Sequence, residues 1–502
     1  MRIELVPVLD MPQVDADDGT LEVGAIVVDG LTVLDQAAFA PVVEPFAGRP
    51  LTRAELVQLA DAVAARLRKE GYILATAWIP EQMLVGQMLR VKVDEGRIDS
   101  VRLVGTQDKG VRRQLERLAD GRPVTMATLQ REVLLASDLP GVWIRGTRFE
   151  RDGSARVLVV EAEKREAGGT LTFATDGTKP LGPVRARIDV DGNGLISPRD
   201  RIDLSFSATP FDPGELAFFS ARYTVVVNDS GTSLGLFGSW SRTEPGAYLA
   251  SSRLTGVAWQ GGIRASHPVL RAQGRGLWLE GSAEVSDLQQ DSFGRLARTD
   301  RIALARLGFY GYGPLGGGTV QGRATLTQGL GILDATKKGD PLASRFDAPT
   351  DFTTLSWWLN WRRTLAERVS LQLAMTAQVS ANPVLIGESF SLGGTQFLRG
   401  YDFAQAVGDE GIAALAELRY DIPKPLGASN NLQLYAFADG GMVSMLPQRV
   451  RSGSLASSGA GIRTDLTRDL DLDFEVAVPL SEVRYDTGDR SPRLNLRISQ
   501  SF

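Results

Sequence analysis

The sequence of 502 residues contains no cysteine and one histidine, His267. Without cysteine, the chain has no disulfides, no thiolate nucleophile and no cysteine ligand for a metal. A lone histidine also argues against a Ser/His/Asp triad or a histidine-rich metal site. These absences predict a protein that is not an enzyme and that needs no metal and no cofactor.

Long apolar runs and an excess of basic residues are also missing. No stretch approaches the roughly 18 apolar residues of a membrane-spanning helix. The net charge is -5, whereas a nucleic-acid binder normally carries a basic patch. No nucleic-acid partner is therefore predicted. The first 20 residues have no basic stretch followed by an apolar one, and no export signal or amphipathic helix is visible there.

Glycine, by contrast, is abundant, with 54 residues, which is typical of a chain with many turns between short strands. Residues 21–166 mix helical and strand periodicity. Thr52 and Glu55 form a capping box that begins a helix, and Asp152-Gly153 separates two strand-like runs as a hairpin turn. Because the order β-α-α-β-β occurs twice, we predict a repeat of small α+β modules. The expected boundaries are a tail at 1–20, a first module at 21–96 and a second module at 97–166.

After about residue 167, the helical period gives way to alternation of apolar and polar residues, which Gln500 breaks in the final run. The clearest runs are 371–379, 470–480 and 494–502. Alternation gives each strand one apolar and one polar face. Two folds fit this pattern, a soluble sandwich and a membrane barrel with a wet lumen. The length of 167–502 favours the barrel, since it accommodates about 16 antiparallel spanning strands.

Aromatic residues cluster in two of the barrel segments. A membrane barrel carries aromatic girdles where its outer surface meets the lipid headgroups. We expect the cluster to supply such girdles, although ordinary strand aromatics remain an alternative. The residues are Tyr310, Tyr312, Trp357, Trp358 and Trp361.

Short motifs in both halves of the chain resemble those of the two-partner secretion transporters, the TpsB class of haemolysin secretion/activation proteins. In the first module, the motif residues are Pro80, Gln82, Gly86, Glu95 and Gly96, which resemble the signature of that family's first POTRA module. The resemblance implies that they take part in recognising the partner protein.

Further motifs follow in the barrel half, in the order that the family shows. The residues Gly393, Gly394, Leu398, Arg399, Gly400 and Tyr401 resemble the tip of the family's long sixth extracellular loop. The residues Phe437, Asp439 and Gly440 resemble a motif on a following strand, and Phe502 resembles the terminal aromatic by which barrels are recognised for assembly. Leu398 departs from the family pattern, in which valine is commoner.

The segment at about 381–411 is too long for an idle connection and lacks a sustained period. The resemblance implies that this loop folds into the lumen, where Arg399 meets Asp439. Alternation on the strand around Asp439 turns that residue towards the lumen.

The resemblance implies a membrane barrel preceded by two POTRA modules, in the outer membrane of a Gram-negative bacterium with the modules in the periplasm. Its function would be to capture an unfolded exoprotein and secrete it. The expected partners are a large β-helical adhesin, haemagglutinin or haemolysin, together with the barrel-assembly machinery and outer-membrane lipids.

Two other functions stay open from the sequence. One is an assembly or insertion factor for outer-membrane proteins, which shares the architecture. The other is a soluble β-rich adhesin or carbohydrate-binding protein. The segment from Asp189 to Asp200 also approaches the spacing of a calcium-binding loop, but its strand-like flanks and Asp-Gly and Asn-Gly pairs favour a hairpin turn.

Overall fold

The computed structural model describes residues 2–4, 20–153, 155–423, 431–447 and 450–502, with the backbone alone for 2–4 and 450–452. The expected N-terminal tail therefore lies mostly outside the described residues. The chain divides into two compact units, Met1–Arg165 and Glu166–Phe502. Among the described residues, none of the helices combines the length and apolar character needed to span a bilayer.

The first half of the N-terminal unit is a small α+β module. The strand β1 (Arg2–Glu4) precedes it. Its own elements are β2 (Leu21–Val23), β3 (Ala25–Asp29), α1 (Ala40–Val43), β4 (Arg49–Leu51), α2 (Arg53–Lys69), β5 (Thr76–Trp78) and β6 (Met88–Asp94). The sheet has the order β3-β6-β5, and β2 pairs with β4. The predicted capping box at Thr52 is confirmed, and α2 buries Leu59, Val63 and Leu67 in the module core.

The second half repeats the mixed architecture. Its elements are β7 (Ser100–Val104), α3 (Lys109–Glu116), α4 (Met126–Ser137), β8 (Val142–Asp152) and β9 (Ala155–Lys164). The sheet order is β1-β8-β9-β7, so the strand at Arg2–Glu4 extends this sheet in parallel with β8. The predicted hairpin after Asp152 is confirmed, because Asp152 pairs with Ala155.

A polar joint connects the two modules. Both terminal nitrogens of the Arg156 guanidinium donate to Asp94, at 3.2 and 2.7 Å. Backbone hydrogen bonds run from Val124 N to Gly96 O and from Met126 N to Gly71 O, at 2.9 Å each. Because the joint combines a bidentate ion pair with backbone contacts, it restricts bending between the modules.

The C-terminal unit is a closed barrel of 16 strands, all antiparallel. The strands of its first half are β10 (Ala167–Ala174), β11 (Arg185–Asn193), β12 (Asp200–Ala208), β13 (Leu216–Val226), β14 (Ser233–Thr243), β15 (Leu254–Ala272), β16 (Arg275–Ser292) and β17 (Arg295–Leu315). The chain continues with β18 (Gly318–Leu330), β19 (Thr353–Ala366), β20 (Val369–Ser380), β21 (Phe390–Leu392), β22 (Ala406–Gly408), β23 (Glu410–Pro423), β24 (Asn431–Met445), β25 (Val450–Asp465), β26 (Leu470–Pro479) and β27 (Arg493–Ser501).

Pairing of β10 with β27 closes the barrel, while β21 and β22 form a separate two-stranded sheet inside the loop between β20 and β23. The predicted barrel of about 16 strands is therefore confirmed, and the sandwich alternative is wrong. The strands alternate as expected: large apolar side chains such as Trp259, Ile263 and Phe309 are exposed on the outer face, and the opposite face of the same strands carries Arg264 and Arg306.

The expected aromatic girdle is only partly correct. Trp357 lies on the outer face with Leu355 and Leu359, as does Trp361. Tyr310, Tyr312 and Trp358 occupy the alternate positions and face the lumen, because the exposed Leu307 and Phe309 define the outer face of β17. A run of aromatic residues in a strand does not reveal by itself which of its members face lipid.

Candidate functional site

The loop between β20 and β23 enters the barrel as a short β-arm, β21 and β22, with the predicted motif at its tip. Gly393 and Gly394 have φ values of +101° and +124°, which favour glycine. Gly400 approaches the wall so closely that a Cβ there would lie 2.8 Å from the Ser457 side chain. Leu398 has a φ of +59°, where a β-branched valine would be more strained. The motif therefore permits a tight turn against the wall.

The Arg399 side chain at this tip is 5% exposed and bridges two strands of the barrel wall. One terminal nitrogen lies 2.6 Å from Glu475 on β26, and the other lies 2.6 Å from Glu417 on β23. The guanidinium also sits over the Phe437 ring, 3.6 Å from its centroid. A planar guanidinium suits this arrangement because its two donor nitrogens diverge towards separate carboxylates.

The structure brings the expected partner Asp439 to the tip. The Arg399 side chain and Asp439 form an ion pair at 3.9 Å, a distance too long for a hydrogen bond. Asp439 accepts its hydrogen bonds from the Arg399 backbone N–H, at 3.2 Å, and from the Ser457 hydroxyl. Asp439 thus fixes the backbone of the tip, while Glu417 and Glu475 balance the charge of its guanidinium.

Two further arginines complete the charge balance on the wall. Arg419 donates to Glu417 at 2.7 Å, and Arg463 donates to the same carboxylate at 2.9 Å. Arg463 also reaches Asp473 at 3.1 Å. Glu417 therefore receives three arginines. Sequence reasoning missed Glu417 and Glu475, although alternation had already placed Glu475 on a polar face.

Tyr401 and Asp402 attach the loop to the segment between β26 and β27. The buried Tyr401 hydroxyl donates to Ala456 O at 3.0 Å and accepts from the backbone N–H groups of Ser481 and Glu482. Asp402 accepts from Arg484 at 2.8 Å. These contacts form a second attachment, beyond the Arg399 network.

A third attachment lies at the base of the loop, around Asp409, whose side chain is fully buried. Its carboxylate pairs with Arg345 and accepts from the backbone N–H groups of Val384 at 2.8 Å and Leu446 at 2.7 Å. Arg345 also donates to Leu446 O at 2.6 Å. We name these contacts the outer tie, because they join the segments after β18, β20 and β24. No sequence motif indicated this site.

The motif residues of the first module hold that module together. The Gln82 amide exchanges two hydrogen bonds with the backbone of Arg90, at 2.8 and 3.0 Å, just beyond the point where β5 ends. Pro80 accepts from the same amide at 3.3 Å, and Gly86 has a φ of +66°. Gln82 therefore continues the edge of the sheet with a side chain in place of a strand.

Glu95 and Gly96 are held within the module, and their part in recognising a partner stays a prediction. Glu95 is 5% exposed and accepts hydrogen bonds from the backbone N–H groups of Thr32 and Val33. Gly96 has a φ of +83° and packs against Leu74 at the joint between the modules. The exposed residues near the motif are ones that sequence reasoning missed, Met83 at 90% and Val85 at 83% exposure.

With this geometry in place, comparisons with known proteins identify the family. Residues 153–464 match the family described as haemolysin secretion/activation protein ShlB/FhaC/HecB, and residues 21–96 match the ShlB-type POTRA domain. The chain belongs to the haemolysin secretion/activation family.

Relatives and solved structures agree with this family over nearly the full chain. The heme/hemopexin transporter protein HuxB of Haemophilus influenzae is 20% identical over 459 residues, which are 88% of this chain and 80% of HuxB. The structure of CdiB from Escherichia coli aligns with a TM-score of 0.76 at 21% identity, covering 99% of this chain and 94% of CdiB. CdiB from Acinetobacter baumannii aligns with a TM-score of 0.67 at 17% identity, covering 99% and 93%.

As a member of this family, the chain is an outer-membrane translocator of two-partner secretion. Its barrel lies in the outer membrane of a Gram-negative bacterium and its POTRA modules lie in the periplasm. The end of the barrel at Ala167, where the chain enters it from the modules, is therefore periplasmic, and the loop bearing Arg399 enters the lumen from the extracellular end.

Phe502 of this haemolysin secretion/activation protein lies at the seam where the barrel closes. Its backbone exchanges two hydrogen bonds of 3.0 Å with Gly169, and its ring lies over that glycine. The terminal residue thus extends the pairing of β10 with β27.

The calcium-like spacing at 189–200 forms a periplasmic turn. The Asp200 carboxylate accepts hydrogen bonds from the backbone N–H groups of Leu195, Ile196 and Ser197, at 2.9, 3.0 and 2.7 Å. These donors occupy the oxygens that would bind a cation, so the turn interpretation holds.

Proposed function

We propose that this translocator captures an unfolded exoprotein in the periplasm. We also propose that its inserted loop obstructs the lumen while it is attached to the wall, and that it moves during export. The observation that carries the proposal is the buried network of Arg399 with Glu417, Glu475 and the backbone contact to Asp439. A connection that only joined β20 to β23 would not need a buried, charge-balanced anchor, since burying charges costs free energy unless they are paired.

Capture is assigned to the first module. Gln82, with Pro80 and Gly86, holds the segment that presents Met83 and Val85 to solvent. Exposed apolar side chains suit an unfolded partner, whose own apolar residues are not yet buried. A module edge such as β3 or β5 can add an extended segment through backbone hydrogen bonds.

The cargo we propose is a large β-helical exoprotein, either an adhesin, a haemagglutinin or a haemolysin. The chain has no enzymatic activity in this proposal, and folding of the exoprotein outside the cell draws the export. Phe502 at the seam is the residue read by the barrel-assembly machinery, and outer-membrane lipids contact the apolar outer face.

The test is secretion in a Gram-negative host that expresses this chain with a candidate β-helical exoprotein from the same genome. The exoprotein should appear in the medium or on the cell surface with the wild-type chain and stay periplasmic without it. A Met83→Ser/Val85→Ser variant should secrete less, whereas Val57→Ser, at another exposed apolar site of the module, should secrete normally.

Periplasmic retention of the exoprotein with the wild-type chain would overturn the proposal. If loss of the chain instead lowered the levels of other outer-membrane barrels, the assembly-factor alternative would replace it.

A further inference from the structure

The barrel wall formed by β13–β18 has an excess of arginines on its luminal face. This face, from the periplasmic turns up to the level of Glu284, carries five arginines and two glutamates. The residues are Arg222, Arg264, Arg271, Arg306, Arg323, Glu280 and Glu284. The tip of the inserted loop is anchored on other strands, β23 to β26, while Glu388 nearer the start of that loop pairs with Arg306 of this wall at 2.7 Å.

Two of these arginines have no carboxylate partner among the described residues. Arg264 on β15 pairs with Gly235 of β14, and a Cβ on that glycine would lie 3.2 Å from the Arg264 side chain. Arg222 on β13 pairs with Phe237, two residues further along the same face of β14. The glutamates that attract Arg264 are already paired, Glu280 with Arg323 at 3.0 Å and Glu284 with Arg306 at 2.5 Å. Arg222 and Arg264 lie on the same luminal face, on the two strands that neighbour β14.

Towards the periplasmic end, the same wall carries a cluster of aromatic rings. The Trp278 ring lies 5.6 Å from that of Tyr310 and 5.9 Å from that of Tyr312, between centroids. Arg271 lies over Trp278 and donates to the Tyr312 hydroxyl at 2.7 Å, and Arg323 lies over Tyr310. A surface of ring faces next to guanidinium groups attracts carboxylates and other aromatic rings.

Backbone pairing is not available to a ligand on this wall. Each of the strands β13 to β18 is hydrogen-bonded to a neighbour on both sides. A segment held here must therefore be held by side chains. Uncompensated arginines inside a barrel also repel each other, and an arriving carboxylate would relieve that repulsion.

We propose that the luminal wall around Arg222, Arg264, Trp278 and Tyr310 binds the exoprotein in transit, through extended segments that carry carboxylate and aromatic side chains. The inference rests on the proposed function, since it names the cargo chemistry that the lumen recognises. We call this surface the transit wall.

The test measures binding of labelled synthetic peptides to the purified full-length chain in detergent, by fluorescence anisotropy. The probes are flexible Gly/Ser peptides that carry alternating Glu and Tyr, with Lys in place of Glu in a second peptide and Ser in place of Tyr in a third. The wild-type chain should bind the Glu/Tyr peptide about tenfold more tightly than the Lys/Tyr peptide, since hydrogen bonds to charged groups contribute at about this level.

An Arg222→Ser/Arg264→Ser double variant should lose this preference. The Tyr310→Ser variant should bind the Glu/Tyr peptide about threefold more weakly, and its affinity for the Glu/Ser peptide should be unchanged. The matched control is Arg187→Ser, which removes a luminal arginine from β11, where it is paired with Asp189. Heat-modifiable migration on a gel checks that each barrel is folded.

Equal binding of the Glu and Lys peptides by the wild-type chain, or full affinity in the folded double variant, would overturn the inference. Because peptide binding is measured on the purified chain, its result does not depend on whether an exoprotein is secreted in cells. Failure of secretion alone would count against the proposed function and not against the transit wall.

Discussion

Arg399 joins the tip of the loop to two strands of the barrel wall, because carboxylates from both strands share its guanidinium. Glu417 and Glu475 each lie 2.6 Å from it, while Asp439 holds the adjacent backbone. The three carboxylates therefore have different roles, which a count of charges does not reveal.

Replacing Arg399 by alanine should release the loop tip and abolish secretion while the barrel still assembles. Removing one partner from a buried ionic group costs about 3–5 kcal/mol, since the remaining charges are uncompensated. Arg399→Lys should fail almost as completely, because a single ammonium cannot bridge both glutamates. Secretion and heat-modifiable migration measure the two effects.

The paired comparison for this network is Asp439→Asn, which keeps an acceptor for the Arg399 N–H and should retain more secretion than Arg399→Ala. A charge exchange between positions 399 and 439 should not restore export, since the guanidinium pairs with the glutamates. Restoration by that exchange would contradict the roles assigned here.

Glu55 provides a pH-dependent contact at the start of α2. The backbone N–H of Thr52, the Arg49 guanidinium and the Thr52 hydroxyl lower the pKa of Glu55 from 4.5 to about 2. A lowered pKa stabilises the folded module above the ordinary value, and this contribution disappears as the pH falls towards about 2.

We therefore expect Glu55→Gln, which removes the charge of this contact, to speed hydrogen exchange in the first turn of α2 at neutral pH. The difference from the wild-type chain should shrink as Glu55 becomes protonated. Exchange measured by mass spectrometry on the full chain tests this, with Thr128→Ala in α4 as a control that should leave α2 unchanged. A difference that persisted below the folded pKa would assign the effect to another group.

Among the structural elements, the extracellular segments are joined by ionic groups that are distant in sequence. The outer tie connects Arg345, Asp409 and Leu446, which belong to three segments. Such a tie fixes the outer end of the inserted loop independently of Arg399.

Arg345→Ala should leave the buried Asp409 without its cation and loosen the segments at 331–352 and 381–409. The expected cost is again about 3–5 kcal/mol, which exceeds what a surface segment can absorb. Limited proteolysis of intact cells should show new cleavage in these segments. Lys337→Ala removes an exposed cation from the same segment and should cause none; equal cleavage in both variants would contradict the role of the tie.

The joint between the POTRA modules is a second contact that links secondary-structure elements. Arg156 binds Asp94 in a bidentate pair and is itself mostly buried. Arg156→Ala should broaden the distribution of distances between spin labels at the exposed Glu70 and Asp152 in the full chain. Arg102→Ala breaks an exposed pair with Glu150 and serves as the control, whose distribution should match the wild type. If the distance distribution did not change in Arg156→Ala, the backbone hydrogen bonds alone would hold the two modules together.

At the scale of the whole molecule, the two compact units have different sources of stability. The N-terminal unit has an apolar core of its own, formed in the first module by residues such as Phe39, Leu59 and Leu89. The barrel instead carries apolar residues outward and charges inward, so it requires lipid or detergent.

We expect residues 20–165, expressed alone, to be soluble and to show mixed helix and strand by circular dichroism. The reason is that the unit buries its apolar residues internally. The matched fragment 166–502 should aggregate without detergent. An unfolded N-terminal fragment would show that the modules need the barrel.

The sequence alone determined the features that depend on local pattern. Alternation predicted the barrel and the luminal face of Asp439, and the spacing of Thr52 and Glu55 predicted the start of α2. Family motifs predicted the loop and its tip. These succeed because a strand exposes alternate residues to opposite sides, and a cap acts within one turn.

Only the tertiary structure decided which side chains meet. Arg399 finds Glu475, 76 residues away, because barrel closure and strand register bring β26 beside the loop tip. Likewise, the Glu95 carboxylate meets Thr32, 63 residues away in sequence. Such meetings depend on the register of many strands together and on closure of the barrel, so no single local pattern encodes them, whereas the face of each strand residue follows from its neighbours in sequence.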